Sequence, residues 1–308
     1  MGAGAETEAE TEVIVIGGSY AGLAAALTLA RARRRVLVVD AGERRNRFAA
    51  SSHGFLTRDG DTPAAIAGIA REQVLAYDTV SWHEGRVEAA AVDGAGFVVT
   101  GASGARWRGE RLILATGVVD RLPEIPGLAA RWGRTVFHCP YCHGYELDRR
   151  AIAVLATSEL ALHQALMLPD WGPTTLLLNG AFEPDAAQRA QLDRRGVTVE
   201  TRRVTGIDGE ADVQLADGSR LRFAGLFVAP HTTIAAALVA GLGCAVEHAP
   251  HGAWIQVDER RATTVPGVFA CGDVARAFGS VTLAVADGAM AAFGAHASLI
   301  HARSAVAA

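Results

Sequence analysis

The chain contains no lysine: all 29 of its basic residues are arginine. It therefore has no amine with which to form a Schiff base on a carbonyl substrate or on pyridoxal phosphate. It also has no Walker-A lysine to meet nucleotide phosphates. Net charge is only −4, so nothing in the composition implies a basic surface for nucleic acid. No uncharged apolar run reaches the ~18 residues that span a bilayer. The longest, near Ala21–Ala30 and Thr233–Val246, are short and rich in Ala and Gly. The opening residues, Met1–Glu12, are small and acidic (Glu6, Glu8, Glu10, Glu12). They lack the basic segment and apolar stretch of a secretory signal and read as a frayed tail. The expected location is cytoplasmic, with neither membrane nor nucleic acid as a partner. Cysteine is scarce, at four residues: Cys139, Cys142, Cys244 and Cys271. In a reducing compartment a close pair of cysteines is redox-active or metal-binding rather than a structural staple.

What is present is a globular composition. Half of the 308 residues are hydrophobic, enough for a sizeable core, and the length fits two domains. Near the start, Glu12-Val13-Ile14-Val15-Ile16 runs into Gly17-Gly18-Ser19-Tyr20-Ala21-Gly22. An Ala/Leu-rich helical stretch follows to Arg31, and then Arg35-Val36-Leu37-Val38-Val39-Asp40. Strand, glycine turn, helix and a strand ending in an acid are the order of a dinucleotide-binding βαβ unit. Gly17 allows the tight turn and Gly22 allows close helix–strand packing. The helix N-terminus offers free N–H groups to a pyrophosphate. Asp40, 23 residues after Gly17, is placed to bind ribose hydroxyls. Ser19 stands where the motif has its middle glycine, and a small side chain there still admits the phosphate. Arg47 lies just past Asp40, within reach of a phosphate. The other arginines from Arg31 to Arg47 read mostly as a solvated face.

Two later segments specify the dinucleotide. Leu112-Ile113-Leu114-Ala115-Thr116-Gly117 is an apolar strand ending in Thr-Gly, and Gly267-Val268-Phe269-Ala270-Cys271-Gly272-Asp273 is another ending in Gly-Asp. In this order they resemble the two-part FAD signature of the pyridine-nucleotide–disulfide oxidoreductases. By that resemblance Asp273 takes a ribitol hydroxyl or sits by the phosphate. A helix starting near Ser280-Val281-Thr282 then aims its N-terminus at the flavin pyrimidine, where its dipole stabilises negative charge.

The sharpest motif is His138-Cys139-Pro140-Tyr141-Cys142-His143-Gly144-Tyr145-Glu146. Cys-x-x-Cys puts two sulfurs within disulfide reach around one turn. With Cys139 capping a short helix, Pro140 suits its first position, and a helix N-terminus lowers a thiol pKa toward neutrality. His143 follows directly and can carry protons at neutral pH. His138 is expected only to cap the turn. Other chemistries share the spacing. Cys-x-x-Cys-His is also a haem-attachment sequence, but nothing here marks an exported protein. Zinc would need two further ligands, whereas Cys244 and Cys271 are single. An inert buried pair is the remaining alternative.

Together these pieces resemble the low-molecular-weight thioredoxin reductase family from Glu12 to Ile300. The resemblance implies an α/β fold of two three-layer Rossmann-like domains, the second inserted into the first. The FAD domain would be 1–121 and 241–308, and the inserted domain 122–240. It implies FAD as cofactor, a homodimer, and Cys142 as the flavin-side sulfur with Cys139 facing substrate. His53, in Ser51-Ser52-His53-Gly54-Phe55-Leu56, falls in the loop that approaches the flavin in such proteins; it is either a cofactor contact or a polar loop residue. Thioredoxin reductases usually carry Asp where this chain has His143. Cys-Pro-Tyr-Cys-His-Gly-Tyr-Glu is more similar to the dithiol oxidase branch, which closes disulfides in gliotoxin, holomycin and romidepsin.

The inserted domain should open with its own βαβ for NADPH. The strand Ala151–Leu155 is there, but the turn Ala156-Thr157-Ser158-Glu159-Leu160-Ala161 has no glycine. β-Carbons obstruct close approach to a pyrophosphate, and Glu159 adds negative charge. The next strand, Thr174 to Leu178, ends in Asn179-Gly180, with no acid for a ribose and no Arg cluster for a 2′-phosphate. The expectation is an FAD-dependent dithiol oxidase that takes electrons from a dithiol and passes them to O2. Its substrate would be a metabolite, peptide or thioredoxin-like protein. The alternatives are an NAD(P)H-dependent disulfide reductase and a flavin-binding redox sensor.

Overall fold

The computed structural model describes residues 9–306, which form two compact units. The acidic positions Glu6 and Glu8 lie outside the described residues. Glu10 and Glu12 do not fray: they belong to the first strand, Ala9–Ile16. Glu12 is buried and accepts from the Arg35 N–H and the Arg34 and Arg303 guanidiniums. Burial pushes its carboxyl up, but these three donors outweigh it and hold the group below its usual value.

The first unit runs to Arg45, resumes over Ala64–Val119 and closes from Thr232 onward. Its sheet orders the strands Val80–Glu84, Val36–Asp40, Ala9–Ile16 and Arg106–Leu114 in parallel. Val268–Ala270 pairs in parallel with the end of Arg106–Leu114. An antiparallel hairpin, Val87–Asp93 and Gly96–Gly101, pairs with its beginning. Near-continuous Val/Ile/Leu runs form such strands because both faces are covered. The alternation is visible in the core. Ile14, Ile16, Leu37, Val39, Leu112 and Leu114 face one cluster. Val13, Val15, Val36, Val38 and Ile113 face the other, with Leu23, Ala26 and Leu29 of helix Tyr20–Arg31.

The closing helix, Val281–Val306, is long and apolar enough by composition to cross a membrane. Here it is a core element. Ala291, Ala292, Ala295 and Leu299 are buried in the first unit, and its buried Asp287 pairs with Arg261 and Arg276.

The second unit comprises 46–63 and Asp120–His231. Its five parallel strands lie in the order Thr198–Glu200, Thr174–Leu177, Ile152–Leu155, Gly225–Val228, Val136–Phe137. One face packs on the antiparallel strands Val204–Asp208 and Asp212–Leu215 through Val204, Ile207, Val213 and Leu215. The other packs on helices Ala161–Met167 and Ala186–Arg194 through Ala161, Ala165 and Leu192. The return to the first unit falls at 231/232, ahead of the expected 240/241. Helix Ala236–Leu242 already buries Leu238, Val239 and Leu242 in the first unit's core. Segment 46–63, contiguous in sequence with the expected FAD domain, belongs to the second unit.

Candidate functional site

The first unit holds a nucleotide-shaped cradle. Gly17 has φ +103°, and a Cβ there would strike the Ala115 carbonyl; one on Gly22 would strike the carbonyl of Gly17. Only glycine lets strand, turn and helix meet this closely. Ser19 is the N-cap of helix Tyr20–Arg31, and its side chain makes no capping bond. The Gly18 N–H donates to Asp40 Oδ1 at 2.9 Å, so this acid also ties the turn to the second strand. Thr116 Oγ1 is buried with no hydrogen-bond partner among the described residues, an orphan that a bound polar group would satisfy. Gly117 follows it at the strand end. Across the sheet, Gly272 opens the turn Gly272–Ala275, and Asp273 accepts from Arg45 at 2.8 Å. A Cβ on Gly279 would strike the Asp273 carboxylate. Ser280 Oγ accepts from the Leu283 N–H at 3.2 Å, and the helix begins at Val281, as the sequence implies.

Two further residues expected at the cofactor are carried by the other unit. Arg47 and His53 belong to the second unit, with the Arg47 guanidinium 4.3 Å over the Phe48 ring. Among the arginines expected mostly on a solvated face, Arg45 instead pairs with Asp273. Only the third dimension joins positions so far apart in the chain.

The redox centre is built at the carboxyl end of the edge strand Val136–Phe137. The chain turns through His138 into helix Pro140–His143, with Cys139 as N-cap and proline in its first turn. Gln164 Nε2 fixes the approach by donating to the His138 carbonyl at 2.7 Å. Cys139 and Cys142 form a disulfide with Cα atoms 5.4 Å apart. Cys139 is 3% exposed, while Cys142 is half-buried. The residue expected to carry the substrate-side sulfur is thus the more covered of the two.

The His143 ring stacks on Phe137 with centroids 4.4 Å apart. Burial, aided by the charge of His53, pushes its pKa down from 6.5 to about 4. His53 therefore acts on the same turn as the disulfide, and its Nε2 lies 3.4 Å from Glu146 Oε1. Tyr141, between the cysteines, is exposed and meets Trp171 edge-on at 5.3 Å. The single cysteines are core residues of the first unit, where burial pushes both thiols up.

Four successive N–H groups in the turn after strand Ile152–Leu155 are already engaged. The Leu160 N–H bonds Ser158 Oγ at 3.4 Å. The N–H groups of Ala161, Leu162 and His163 bond the carbonyls of Ser158, Glu159 and Leu160 at 3.2, 3.0 and 3.2 Å. Glu159 is held by Gln188 Nε2 at 2.6 Å. Thr157 Oγ1 reaches the Ala229 carbonyl at 3.3 Å, bridging the carboxyl ends of two neighbouring strands where doubly wound sheets bind ligands. At the end of the next strand, Asn179 Oδ1 accepts from the Val204 N–H at 2.9 Å.

The family model for pyridine nucleotide-disulphide oxidoreductases matches residues 11–288. The chain belongs to that family. The thioredoxin reductase sirT of Leptosphaeria maculans is 32% identical over 307 residues, covering 92% of each chain. A solved oxidoreductase from Agrobacterium tumefaciens superposes with TM-score 0.93 at 56% identity, covering 95% of this chain and 99% of that one. The structure of HlmI superposes at 0.91 and 37% identity, covering 97% and 95%. This pyridine nucleotide-disulphide oxidoreductase is a thioredoxin reductase-like flavoprotein whose cofactor is FAD. The cradle at Gly17–Gly22, the orphaned Thr116 hydroxyl and the Asp273 turn fit that group.

Asp273→Ala is expected to weaken FAD retention by roughly tenfold or more, because a charge-assisted hydrogen bond contributes ~1.5–3 kcal/mol. Flavin released on dilution, read by fluorescence, checks it. Retention equal to wild type would leave Asp273 merely the partner of Arg45.

Proposed function

We propose that this chain is an FAD-dependent dithiol oxidase, taking electrons from a dithiol and passing them to O2 without using NADPH. The observation that carries this reading is the consumed donor set at Leu160–His163. Pyrophosphate binding rests on several backbone N–H contacts, each roughly 1.5–3 kcal/mol. Here those hydrogens are already spent on Ser158, Glu159 and Leu160.

The chemistry then runs from dithiol to disulfide. A substrate thiolate attacks Cys139 and displaces Cys142, and the second substrate thiol resolves the mixed disulfide. The products are a substrate disulfide and the reduced cysteine pair. FAD, which the Gly17–Gly22 cradle, Thr116 and the Asp273 turn would hold, would supply the two-electron carrier between the reduced cysteine pair and O2, with disulfide and hydrogen peroxide as the products. His143, neutral at pH 7, accepts the proton that a thiol must lose to become a nucleophile. The exposed Tyr141 and its neighbour Trp171 offer apolar surface beside the sulfurs, which favours a small dithiol with an apolar body.

Anaerobic mixing with millimolar NADPH is expected to leave the flavin absorbance unchanged over normal turnover times, whereas dithiothreitol bleaches it. Full bleaching by NADPH would restore the reductase reading. Bleaching by neither, with no peroxide formed in air, would favour a redox sensor.

We place the enzyme in the cytoplasm as a homodimer. On the closing helix Met290, Phe293 and Ile300 are exposed apolar residues at helical spacing, a stripe suited to a second copy. Phe293→Glu is expected to raise the dimer dissociation constant at least ~10-fold, the effect of losing a central apolar anchor. Sedimentation at several concentrations reads it, and an unchanged constant would move the interface elsewhere.

A further inference from the structure

The loop 46–63 is built around one histidine. Its ends are pinned by the Ser52 N–H to the Asp61 carbonyl and the Gly60 N–H to the Ser52 carbonyl, both at 2.9 Å. The Gly54 N–H donates to Asp59 Oδ1 at 2.7 Å. Inside this clasp His53 Nε2 lies 3.0 Å from Ser51 Oγ and 3.4 Å from Glu146 Oε1, and Nδ1 lies 3.6 Å from Asp59 Oδ1. Both ring nitrogens therefore face carboxylates.

Exposure rises along this set. The His53 side chain is 19% exposed, Glu146 41% and Asp59 68%. His143 lies at the inner end, stacked on Phe137, and is close enough to His53 for the two to interact electrostatically. The groups facing His53 are thus His143 and Glu146 from the Cys-x-x-Cys turn, and Ser51 and Asp59 from its own loop. Arg58, in the same loop, is engaged with Asp61.

We propose that His53 is a proton-relay residue, passing protons from His143 to Glu146 and so to water. The inference rests on the oxidase reading. Each time the reduced cysteine pair closes to its disulfide it loses two electrons and two protons. The electrons go to FAD, and His143 takes the protons one at a time from the thiols. A buried imidazole serves repeatedly only if each proton is cleared. His53 takes up the proton that leaves His143 and gives it up from Nε2 to the Glu146 carboxylate, 3.4 Å away and open to water. Three residues from two distant segments of the chain, His53 on one and His143 and Glu146 on the other, are thereby given one task.

The test uses FAD-loaded enzyme with dithiothreitol as the probe dithiol. His53→Ala is expected to lower kcat at least tenfold at pH 7 with KM little changed, and imidazole in the buffer should restore most of the loss. His53→Gln keeps a partner for Ser51 but accepts no proton, and it should be as slow as His53→Ala. Glu146→Gln should slow turnover most at low buffer concentration. An independent readout is the His143 ring titration by NMR, whose midpoint should rise in His53→Gln because a like charge has gone. A His53→Ala variant that is slow, is not rescued by imidazole and leaves the His143 midpoint unmoved would make His53 a loop pin only and overturn the proposal. So would wild-type kcat in His53→Gln. If wild-type enzyme oxidised no dithiol at all, the oxidase reading would fall, while the NMR titration would still report whether the two rings are coupled.

Discussion

Replacing either cysteine of the pair is expected to abolish dithiol turnover, by roughly 10⁴-fold or more, and replacing both should cost no more than replacing one. Groups that act as a unit show this non-additivity. The structure bonds Cys139 and Cys142 to each other, so a single thiol has no disulfide to offer. The two variants should still differ. If Cys142 is the flavin-side sulfur, Cys139→Ser leaves a thiolate there and shows a long-wavelength charge-transfer absorbance, which Cys142→Ser lacks. The burial of Cys139 sharpens this test. Iodoacetamide added to the reduced enzyme should label Cys139 readily only if reduction uncovers it. The reverse absorbance pattern, with Cys142 labelled alone, would exchange the roles of the two sulfurs.

His143→Ala is expected to slow turnover by ~10²–10⁴-fold, the range for loss of a positioned general base. The pH at which wild type loses activity separates the structural reading from the sequence reading. An ordinary histidine would place the acid limb near neutrality. Burial behind Phe137, with His53 nearby, moves His143 to about 4, so the base form persists well into acid. The limb assigned to His143 should appear only as pH falls toward 4. The same displacement bears on stability. The folded value lies below the unfolded one, so the unfolded chain binds the extra proton. This contribution, at most about 3 kcal/mol, is present above the unfolded value of about 6.5. It is lost progressively as pH falls from there through 4. His143→Gln should flatten that part of a urea-midpoint profile. A limb near neutrality that is present in wild type and absent in His143→Gln would show that His143 is not buried as described.

Much of the site was legible in the chain because its chemistry depends on local spacing. The glycine turn at Gly17–Gly22, the Cys-x-x-Cys pair and the helix start at Ser280–Val281 each lie within a few residues. Backbone geometry over so short a stretch leaves few alternatives. The glycine-free turn at Ala156–Ala161 was legible for the same reason. Its consequence needed coordinates, because only hydrogen-bond partners reveal that the N–H groups of Leu160 to His163 are already used.

What the tertiary structure decided is which distant residues meet. Periodicity placed the strands, but pairing across the sheet brought Arg45 to Asp273. The loop at 46–63 sits in sequence between elements of the first unit, yet it folds with the second and carries His53 to His143 and Glu146. The proton affinity of His143 follows from that burial, and no reading of neighbours along the chain supplies it. Desolvation and charge act through space, and long-range contacts are set by how whole sheets and helices close over their cores rather than by local propensity.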